Sequence, residues 1–308
     1  MGKLEHVVSV KQFDDTKLLD KLFERAVELQ AMSPHDYPKP LKDLTLATIF
    51  YEPSTRTRLS FETAIQNLGG NLISTENAGE YSSHAKGESL EDTIRTINAY
   101  ADGIVIRHPE AGAAKRAAAV SQVPILNAGD GPADHPTQAL LDAYTIKQAK
   151  GGLEGLTLAM VGDLLYGRTV HSLLQLAALY KIKEVLLISP ESLELPKEYL
   201  DDLDTKGIKY RVLHDWKGVL GDIDVLYMTR VQRERFTLIE DYNKVKDDFI
   251  ITPAIVKQMK KDAIIMHPLP RVNEIEPEVD SDPRAYYFQQ VRNGLFMRMA
   301  LLEHLYSA

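Results

Sequence analysis

Short apolar segments alternate with longer amphipathic segments along most of this 308-residue chain. In the first half the apolar segments read LTLATIF, NLIST, DGIVIRH and VPILNAG, and a helix candidate follows each of them. Because these segments are short and apolar, they predict strands, and strands that alternate with helices predict βαβ units and a parallel sheet. An amphipathic helix is predicted ahead of the series, at about Asp15 to Met32.

The alternation restarts after a glycine-rich break. That break, AKGGLEGLT, interrupts a helix predicted to begin near His135, and the apolar segments LTLAMVGD, EVLLISP, KYRVLH, DVLYMTR and AIIMHPLP follow it. The sequence therefore predicts an α/β protein with two similar-sized domains, residues 1–150 and 151–308, each a parallel sheet flanked by helices. The last helix, at about residues 286–306, is predicted to pack back on the first domain.

The segment FYEPSTRTRLSFETAIQNLGG places two arginines where a helix disfavours them. Ser54 and Thr55 are good N-cap residues and Gly69-Gly70 predicts the helix end, so Arg56 and Arg58 lie in the first turn. The helix is predicted from apolar residues at three-to-four spacing, which are Leu59, Ala64, Ile65 and Leu68.

A helix N-terminus has unpaired N–H groups and carries about half a positive charge, which disfavours cations there by a few tenths of a kcal/mol. A bound anion such as phosphate would remove this conflict for Arg56 and Arg58. The alternative is that both side chains extend outward and pair with Glu52 or Glu62.

Arginines also recur after the other predicted strands. Ligands of open parallel sheets bind beyond the carboxyl ends of the strands, and five of the six candidate strand ends carry an arginine. One such arginine is more often a surface ion-pair partner, but their joint occurrence in an acidic chain predicts a site for a multiply anionic ligand. The residues are Ser54, Thr55, Arg56 and Thr57; Arg107 and His108; His135 to Gln138; Arg168; Arg230 and Gln232; and His267 to Arg271.

Composition excludes several classes of site. The chain has no cysteine, which excludes disulfides, thiolate metal sites, iron–sulfur clusters and a cysteine nucleophile. The formal net charge of -8 argues against a broad nucleic-acid surface and leaves room for a focused basic site. We find no secretory leader and no apolar run of about 18 residues, so a cytoplasmic protein without a membrane segment is expected.

Motifs for nucleophilic, nucleotide and metal chemistry are absent from the sequence. It lacks G-x-S-x-G, the P-loop pattern, the dinucleotide pattern G-x-G-x-x-G and tightly spaced metal-ligand histidines. No metal and no cofactor are therefore expected. The remaining arginines, histidines, hydroxyls and glutamine suit the binding of an acyl phosphate and the stabilisation of an oxyanion during acyl transfer.

Six segments together closely resemble the catalytic chain of aspartate carbamoyltransferase. They are FYEPSTRTRLSFE, VIRHP, HPTQALLD, MVGDLLYGRTVHSL, LYMTRVQRERF and MHPLPRVNEI, in the family's order from about Phe50 to the C-terminus. The resemblance implies transfer of the carbamoyl group of carbamoyl phosphate to the amino group of L-aspartate, giving N-carbamoyl-L-aspartate and phosphate, in de novo pyrimidine biosynthesis.

The resemblance also implies roles for individual residues. The carbamoyl phosphate site would comprise Ser54, Thr55, Arg56 and Thr57 on the phosphate, Arg107 on the phosphate and carbonyl, His135 on the carbonyl and Gln138 on the amide. The aspartate site would comprise Arg168 and Arg230 on the carboxylates, Gln232 beside Arg230, and the backbone carbonyls of Pro268 and Leu269. The implied catalytic set is Arg56, Thr57, Lys86, Arg107 and His135.

In this family a serine and a lysine come from a neighbouring chain, which implies a homotrimer with shared active sites. They correspond to Ser82 and Lys86 in EYSSHAKGES. His84 and Ala85 stand where members often have a glycine and a second lysine, and the adjacent Ser83 leaves the serine assignment open. Separate regulatory chains that bind nucleotides are compatible with the resemblance.

Closure of the two domains is a further implied property. Glu52 matches the family position that forms ion pairs with Arg168 and Arg235 in the closed form, whereas the simpler alternative pairs Glu52 with Arg58. We expect Arg56 to face the ligand and Arg58 to pair with a structural acid.

Three alternative functions can be compared with this hypothesis. Ornithine carbamoyltransferase shares the phosphate loop, but it uses H-C-L-P where this chain has H-P-L-P, and Arg168 and Arg230 demand an anionic acceptor. A non-catalytic anion-binding chain on the same fold would not need every motif residue. A nicotinamide dehydrogenase is disfavoured by the missing glycine pattern.

Overall fold

The structure is a computed structural model that describes residues 4–233, 236 and 238–307. Every segment predicted as a strand is a strand, and the chain alternates between strands and helices as expected. It divides into two compact units, one formed by residues up to Tyr144 together with those from Val291 onward, and one by Thr145–Gln290. The α/β prediction of two parallel sheets is confirmed.

The first unit contains a four-stranded sheet in the order β2-β1-β3-β4, in which all neighbouring strands run parallel. Its strands are β1 (Thr45–Phe50), β2 (Asn71–Glu76), β3 (Gly103–His108) and β4 (Ile125–Asp130). Its helices are α1 (Thr16–Ala31), α2 (Thr55–Asn67), α3 (Ala78–Tyr81), α4 (Leu90–Ile97) and α5 (Ala113–Val120).

The second unit contains a five-stranded parallel sheet in the order β7-β6-β5-β8-β9. Its strands are β5 (Thr157–Val161), β6 (Glu184–Ile188), β7 (Tyr210–Leu213), β8 (Val225–Met228) and β9 (Ile264–Met266). Its helices are α7 (Arg168–Ala177), α8 (Lys197–Thr205), α9 (Ile239–Val245) and α10 (Pro253–Val256). The boundaries between the units fall inside α6 (Pro136–Lys150) and α11 (Tyr287–Tyr306).

Burial along the strands explains the apolar pattern of the sequence. The central strands β1, β5 and β8 are buried along nearly their whole length, because helices cover both faces of a parallel sheet. Of the four edge strands, β2 and β7 have mostly exposed or partly exposed residues, whereas β4 and β9 are buried.

The C-terminal part of α11 belongs to the first unit, which confirms that this helix packs back. Phe296, Met299, Leu302 and Leu305 are buried. The helix is also tied at its surface, where Arg25 Nε of α1 lies 2.8 Å from Glu303 Oε2. No helix in the described residues is long and apolar enough to cross a membrane.

One residue of the predicted apolar face of α2 lies elsewhere. Leu59 is 48% exposed, whereas Thr57, Phe61, Ala64 and Ile65 form the buried side of this helix. Two residues correspond to about 200° around a helix, so Leu59 cannot share the face that Phe61 presents to the core.

Gly162, directly after β5, supplies a stability test of the second sheet. Its φ is +104°, and a Cβ there would lie 2.3 Å from the backbone oxygen of Thr229. We expect Gly162→Ala to lower the free energy of unfolding by about 2–4 kcal/mol, because the new methyl adds both backbone strain and overpacking. Calorimetric unfolding at one protein concentration measures the loss.

The matched control is Gly152→Ala in the same unit. A Cβ at Gly152 would meet no heavy atom within 4 Å among the described residues. This substitution should change stability by less than about 1 kcal/mol. Equal effects of the two substitutions would show that the close approach at Gly162 does not constrain the fold.

Candidate active site

The candidate residues lie where the strand order of each sheet reverses. In the first sheet the reversal falls between β1 and β3, and in the second between β5 and β8. Connections that leave such a pair of strands pass to opposite faces of the sheet, which opens a crevice at the carboxyl ends. The first crevice is flanked by the start of α2 and by Arg107, and the second by Arg168 and Arg230.

The first turn of α2 presents backbone donors at this edge of the first sheet. Ser54 is the N-cap residue, with extended φ and ψ of -155° and 94°, and its hydroxyl does not cap the helix. The first intrahelical bond runs from Arg58 N–H to Ser54 O, at 3.3 Å. The N–H groups of Thr55, Arg56 and Thr57 therefore have no acceptor within the helix.

The two arginines of this turn have different environments. Arg58 Nη1 lies 3.3 Å from Glu62 Oε1, and Arg58 Nη2 lies 3.0 Å from Glu76 Oε2 on β2. Arg58 is thus a structural residue, as expected. The alternative that pairs Arg58 with Glu52 is wrong, because Glu62 lies one helical turn away and β2 brings Glu76 alongside.

Arg56 pairs with no carboxylate in the described part of the chain. Burial and the nearby positive charge of Arg107 lower the pKa of the Arg56 guanidinium below its ordinary value. The environment therefore opposes the charge of this side chain, and an anion at the same place would favour it.

Arg107 reaches the same edge from the end of β3. The pairing of β1 with β3 sets Arg107 beside Phe50, and Tyr51 N–H donates to Arg107 O at 2.9 Å. Arg107 Nη1 donates to Ser54 Oγ at 3.3 Å, so this guanidinium extends to the N-cap of α2.

Glu52 is the acid nearest to Arg107, with Oε2 3.4 Å from Nε. Burial lowers the pKa of Arg107, and Glu52 only partly offsets this effect. This end of the first sheet thus combines the guanidinium groups of Arg56 and Arg107 with the N-terminal N–H groups of α2, and Glu52 supplies the carboxylate near them. The predicted pairing of Glu52 with Arg168 and Arg235 stays a prediction, and Arg235 lies outside the described residues.

His135 and Gln138 stand at the start of α6. His135 is 4% exposed, and its carbonyl accepts hydrogen bonds from the N–H groups of Gln138 and Ala139 at 3.0 and 3.2 Å. Gln138 Nε2 donates to the buried Asp142 Oδ1 at 2.8 Å. The bond to Asp142 sets the orientation of the side-chain amide, and Gln138 Oε1 can accept a hydrogen bond from a ligand amide.

Lys86 ends a short 3₁₀ segment, Ser83–Lys86, and Ser82 is the N-cap residue of this segment. Ser82 Oγ accepts the N–H of His84 at 3.1 Å and donates to Ala78 O, so its hydroxyl caps its own segment. The His84 ring packs edge-on against Tyr51, with 5.3 Å between the ring centroids. Lys86 is exposed and makes no hydrogen bond or ion pair with the described residues.

The second unit positions its candidates through the turn after β5. Asp163 Oδ1 accepts Tyr166 N–H at 2.9 Å, and the N–H of Arg168, the first residue of α7, donates to Tyr166 O at 2.9 Å. Gln232 Nε2 also donates to Tyr166 O, at 3.1 Å. Gln232 thus links the segment that follows β8, including Arg230, to the turn that leads to Arg168.

Pro268 and Leu269 follow β9, the neighbour of β8. Leu269 has a φ of +52° and precedes a cis peptide bond to Pro270. The left-handed backbone of Leu269 is unusual for a residue other than glycine.

Sequence reasoning missed the acids that hold these residues. Asp142 could have been found, since it lies four residues after Gln138 on the same helix. Asp163 and Glu76 gave no such signal, because their partners are set by turn and strand geometry.

Comparison with known proteins identifies the family. Residues 5–148 match the family described as "Aspartate/ornithine carbamoyltransferase, carbamoyl-P binding domain", and residues 154–305 match "Aspartate/ornithine carbamoyltransferase, Asp/Orn binding domain". The chain belongs to the aspartate/ornithine carbamoyltransferase family.

Three similar proteins illustrate the relationship. The chain is 49% identical to the "Aspartate carbamoyltransferase catalytic subunit" of Thermococcus onnurineus (strain NA1), over 96% of this chain and 95% of that protein. It is 50% identical, over 99% of its length, to "Multifunctional protein pyr1-3" of Dictyostelium discoideum, of which it spans only 14%. A crystal structure of aspartate transcarbamoylase from Trypanosoma cruzi, in complex with carbamoyl phosphate and aspartate, superposes with a TM-score of 0.90 at 41% identity, covering 97% of this chain and 95% of that one.

Phosphate binding distinguishes the two arginines of the first turn. We expect Arg56→Gln to weaken the binding of inorganic phosphate by roughly 10–100-fold, since it removes a charged hydrogen-bond donor. Isothermal titration calorimetry measures the affinity. Arg58→Gln is the control on the same turn and should change the affinity only a few-fold, because Arg58 is already paired with Glu62 and Glu76. Similar losses in both variants would count against the assignment of Arg56.

Proposed function

We propose that this protein is an aspartate carbamoyltransferase, which transfers the carbamoyl group of carbamoyl phosphate to the amino group of L-aspartate. The products are N-carbamoyl-L-aspartate and phosphate, and the reaction belongs to de novo pyrimidine biosynthesis. The observation that carries the proposal is the open N-terminus of α2, where Arg56 and Arg107 are partly buried with one nearby carboxylate. Membership of the carbamoyltransferase family supports it.

Carbamoyl phosphate binds to the first unit in this proposal. Ser54, the N–H groups of the first turn of α2, Arg56 and Arg107 hold the phosphate. Thr57, Arg107 and His135 donate hydrogen bonds to the carbonyl oxygen of the carbamoyl group. Gln138 Oε1 accepts from the carbamoyl amide, in the orientation that its bond to Asp142 sets.

The chemistry is acyl transfer without a side-chain nucleophile. The neutral amine of aspartate attacks the carbamoyl carbon, forming a carbon–nitrogen bond and a tetrahedral oxyanion. The carbon–oxygen bond to phosphate then breaks, and the phosphate departs with the electron pair and accepts the amine proton. Arg56 and Lys86 stabilise the leaving phosphate, and Thr57, Arg107 and His135 stabilise the oxyanion. Loss of one such donor raises the barrier by about 2.7–4 kcal/mol.

Aspartate binds through the second unit. Arg168 and Arg230 bind its two carboxylates as charge-assisted pairs, and Gln232 supports them through the Tyr166 carbonyl. The backbone carbonyls of Pro268 and Leu269 accept from the amino and amide groups.

Acceptor choice tests the function directly. We expect phosphate release from carbamoyl phosphate to depend on L-aspartate and to be at least about 100-fold slower with L-ornithine, because two arginines disfavour a cationic acceptor. The assay measures phosphate and the carbamoylated product together. Preference for ornithine would support the ornithine enzyme, and phosphate binding without turnover on either acceptor would support a non-catalytic anion-binding chain.

The proposal includes a homotrimer in which Ser82 and Lys86 serve the active site of a neighbouring chain. The exposure of Lys86 supports this part, because its side chain has no hydrogen-bond or ion-pair partner among the described residues and is available to another chain. Separate regulatory chains are compatible with such a trimer.

Hybrid trimers test the shared site. Arg56→Ala and Lys86→Ala should each lower turnover by at least 100-fold. An equimolar mixture of the two variants, dissociated and reassembled, should regain roughly a quarter of the wild-type activity, since a quarter of sites in a cyclic trimer would combine an intact Arg56 with a neighbour's intact Lys86. Unmixed variants taken through the same procedure are the controls. If mixing restores nothing, each site is built within one chain.

A further inference from the structure

A buried histidine and a buried glutamate close the loop that follows β9. His267 directly follows the strand and is 1% exposed, and Glu274 ends the loop and is 4% exposed. The backbone of Glu274 is anchored separately, because its carbonyl accepts Ile251 N–H at 2.9 Å. His267 N–H donates to Gln290 Oε1 at 3.0 Å. Both ends of the loop are therefore fixed, and Pro268 and Leu269 lie between them.

The hydrogen bonds of His267 define its protonation state. Leu269 N–H lies 2.8 Å from Nδ1, and a backbone N–H can only donate, so Nδ1 must be an unprotonated acceptor. Nε2 then carries the proton and donates it to Glu274 Oε1, at 2.7 Å. The imidazole is neutral, with its proton on Nε2, and it links the N–H of Leu269 to the carboxylate of Glu274.

The carboxylate of Glu274 is satisfied by neutral donors. Its second oxygen, Oε2, accepts the N–H groups of Val272 and Asn273, at 3.0 and 3.1 Å. Both carboxylate oxygens accept hydrogen bonds, Oε1 from the imidazole Nε2 and Oε2 from two backbone N–H groups, and such donors favour the ionised form of a buried carboxylate. Glu274 therefore stays ionised and keeps the histidine in one tautomer.

Leu269 needs this support because of its backbone. Its φ of +52° lies in the left-handed region, which is unfavourable for an L residue other than glycine. The bond from its N–H to His267 Nδ1 favours this conformation over the relaxed one. Loss of the acceptor would allow the backbone to rotate, and the carbonyls of Pro268 and Leu269 would change direction.

We propose that His267 and Glu274 are positioning residues, which fix the Pro268 and Leu269 carbonyls for the carbamoyl and amino groups of the reactants. This role rests on the proposed function. His267 acts through the Leu269 N–H, and Glu274 acts through the tautomer of His267. The phosphate site of the first unit has no part in the role, so phosphate binding and acceptor use should separate.

Three variants and one control test the proposal. His267→Leu removes the acceptor, while His267→Asn supplies a side-chain oxygen that can accept the N–H two residues later, as in an Asx turn. Glu274→Gln keeps the size of the side chain. It replaces one accepting oxygen by an NH₂ group, which must then face a donor, either the His267 ring N–H or the backbone N–H groups. The control is His214→Leu, a histidine of the same unit whose Nδ1 contacts Ser189 O after β6.

We expect His267→Leu and Glu274→Gln to lower kcat/KM for aspartate by roughly 10–100-fold, with the dissociation constant for inorganic phosphate unchanged within about twofold. His267→Asn should recover most of the loss, and His214→Leu should match the wild type. Nitrogen chemical shifts of ¹⁵N-histidine-labelled protein should show the Nε2–H tautomer of His267, and this signature should change in Glu274→Gln.

Different results would contradict the positioning role and the proposed function. Normal kcat/KM for aspartate in both His267→Leu and Glu274→Gln would overturn the positioning role, as would a His267→Asn variant no better than His267→Leu. A parallel loss of phosphate binding in the variants would show a general structural role instead. A wild-type chain that carbamoylates neither aspartate nor ornithine would overturn the proposed function itself, and the tautomer signature would still test the His267–Glu274 pair.

Discussion

The pairing of β1 with β3 brings two positive side chains together, and the rest of the first site depends on this constraint. The strand register sets Arg107 beside Phe50, at the start of the loop that leads to Arg56 and α2. Both guanidinium pKa values are lowered by burial, and Glu52 offsets the effect only at Arg107. A helix N-terminus adds its own positive field. Burial and the mutual repulsion of these charges therefore oppose the two guanidinium groups, and a doubly charged anion beside them would favour both.

Helix geometry gives the two arginines of this short segment different environments. Arg56 and Arg58 are two residues apart, which places them on different sides of α2. Glu62 accepts from Arg58 and also from the hydroxyls of Thr48 and Ser74, at 3.0 and 2.6 Å. One arginine is thus neutralised by a network on the β2 side, and the other keeps its charge for a ligand. Two residues of the same type in one motif therefore serve structure and binding separately.

The sequence predicts most of the secondary structure, but it predicts few of the side-chain partners and exposures that depend on tertiary contacts. The strands and the helices follow from the spacing of apolar residues. The helix ends follow from Ser and Thr at N-caps and Gly after the last turn, and the structure confirms these elements. Leu59 shows the limit, because its exposure depends on which side of α2 meets the core. The ion pair between Arg58 and Glu76 depends on the pairing of β1 with β2, and that between Glu52 and Arg107 depends on the course of a loop. The spacing of residues along the sequence does not predict such ion-pair partners.

Buried carboxylates in both units are satisfied mainly by uncharged donors. Asp130 accepts the N–H of Gly112 at 3.0 Å and the side-chain amide of Asn127 at 3.2 Å, while Glu274 accepts from two backbone N–H groups and a neutral imidazole. Amide donors can hold a buried carboxylate without adding positive charge. Because such loops need no arginine, Arg56 can stay without a carboxylate partner among the described residues, although Arg107 contacts Glu52 and Arg271 pairs with Asp280. An acidic chain can therefore keep a few arginines for an anionic ligand, and net charge says little about the site.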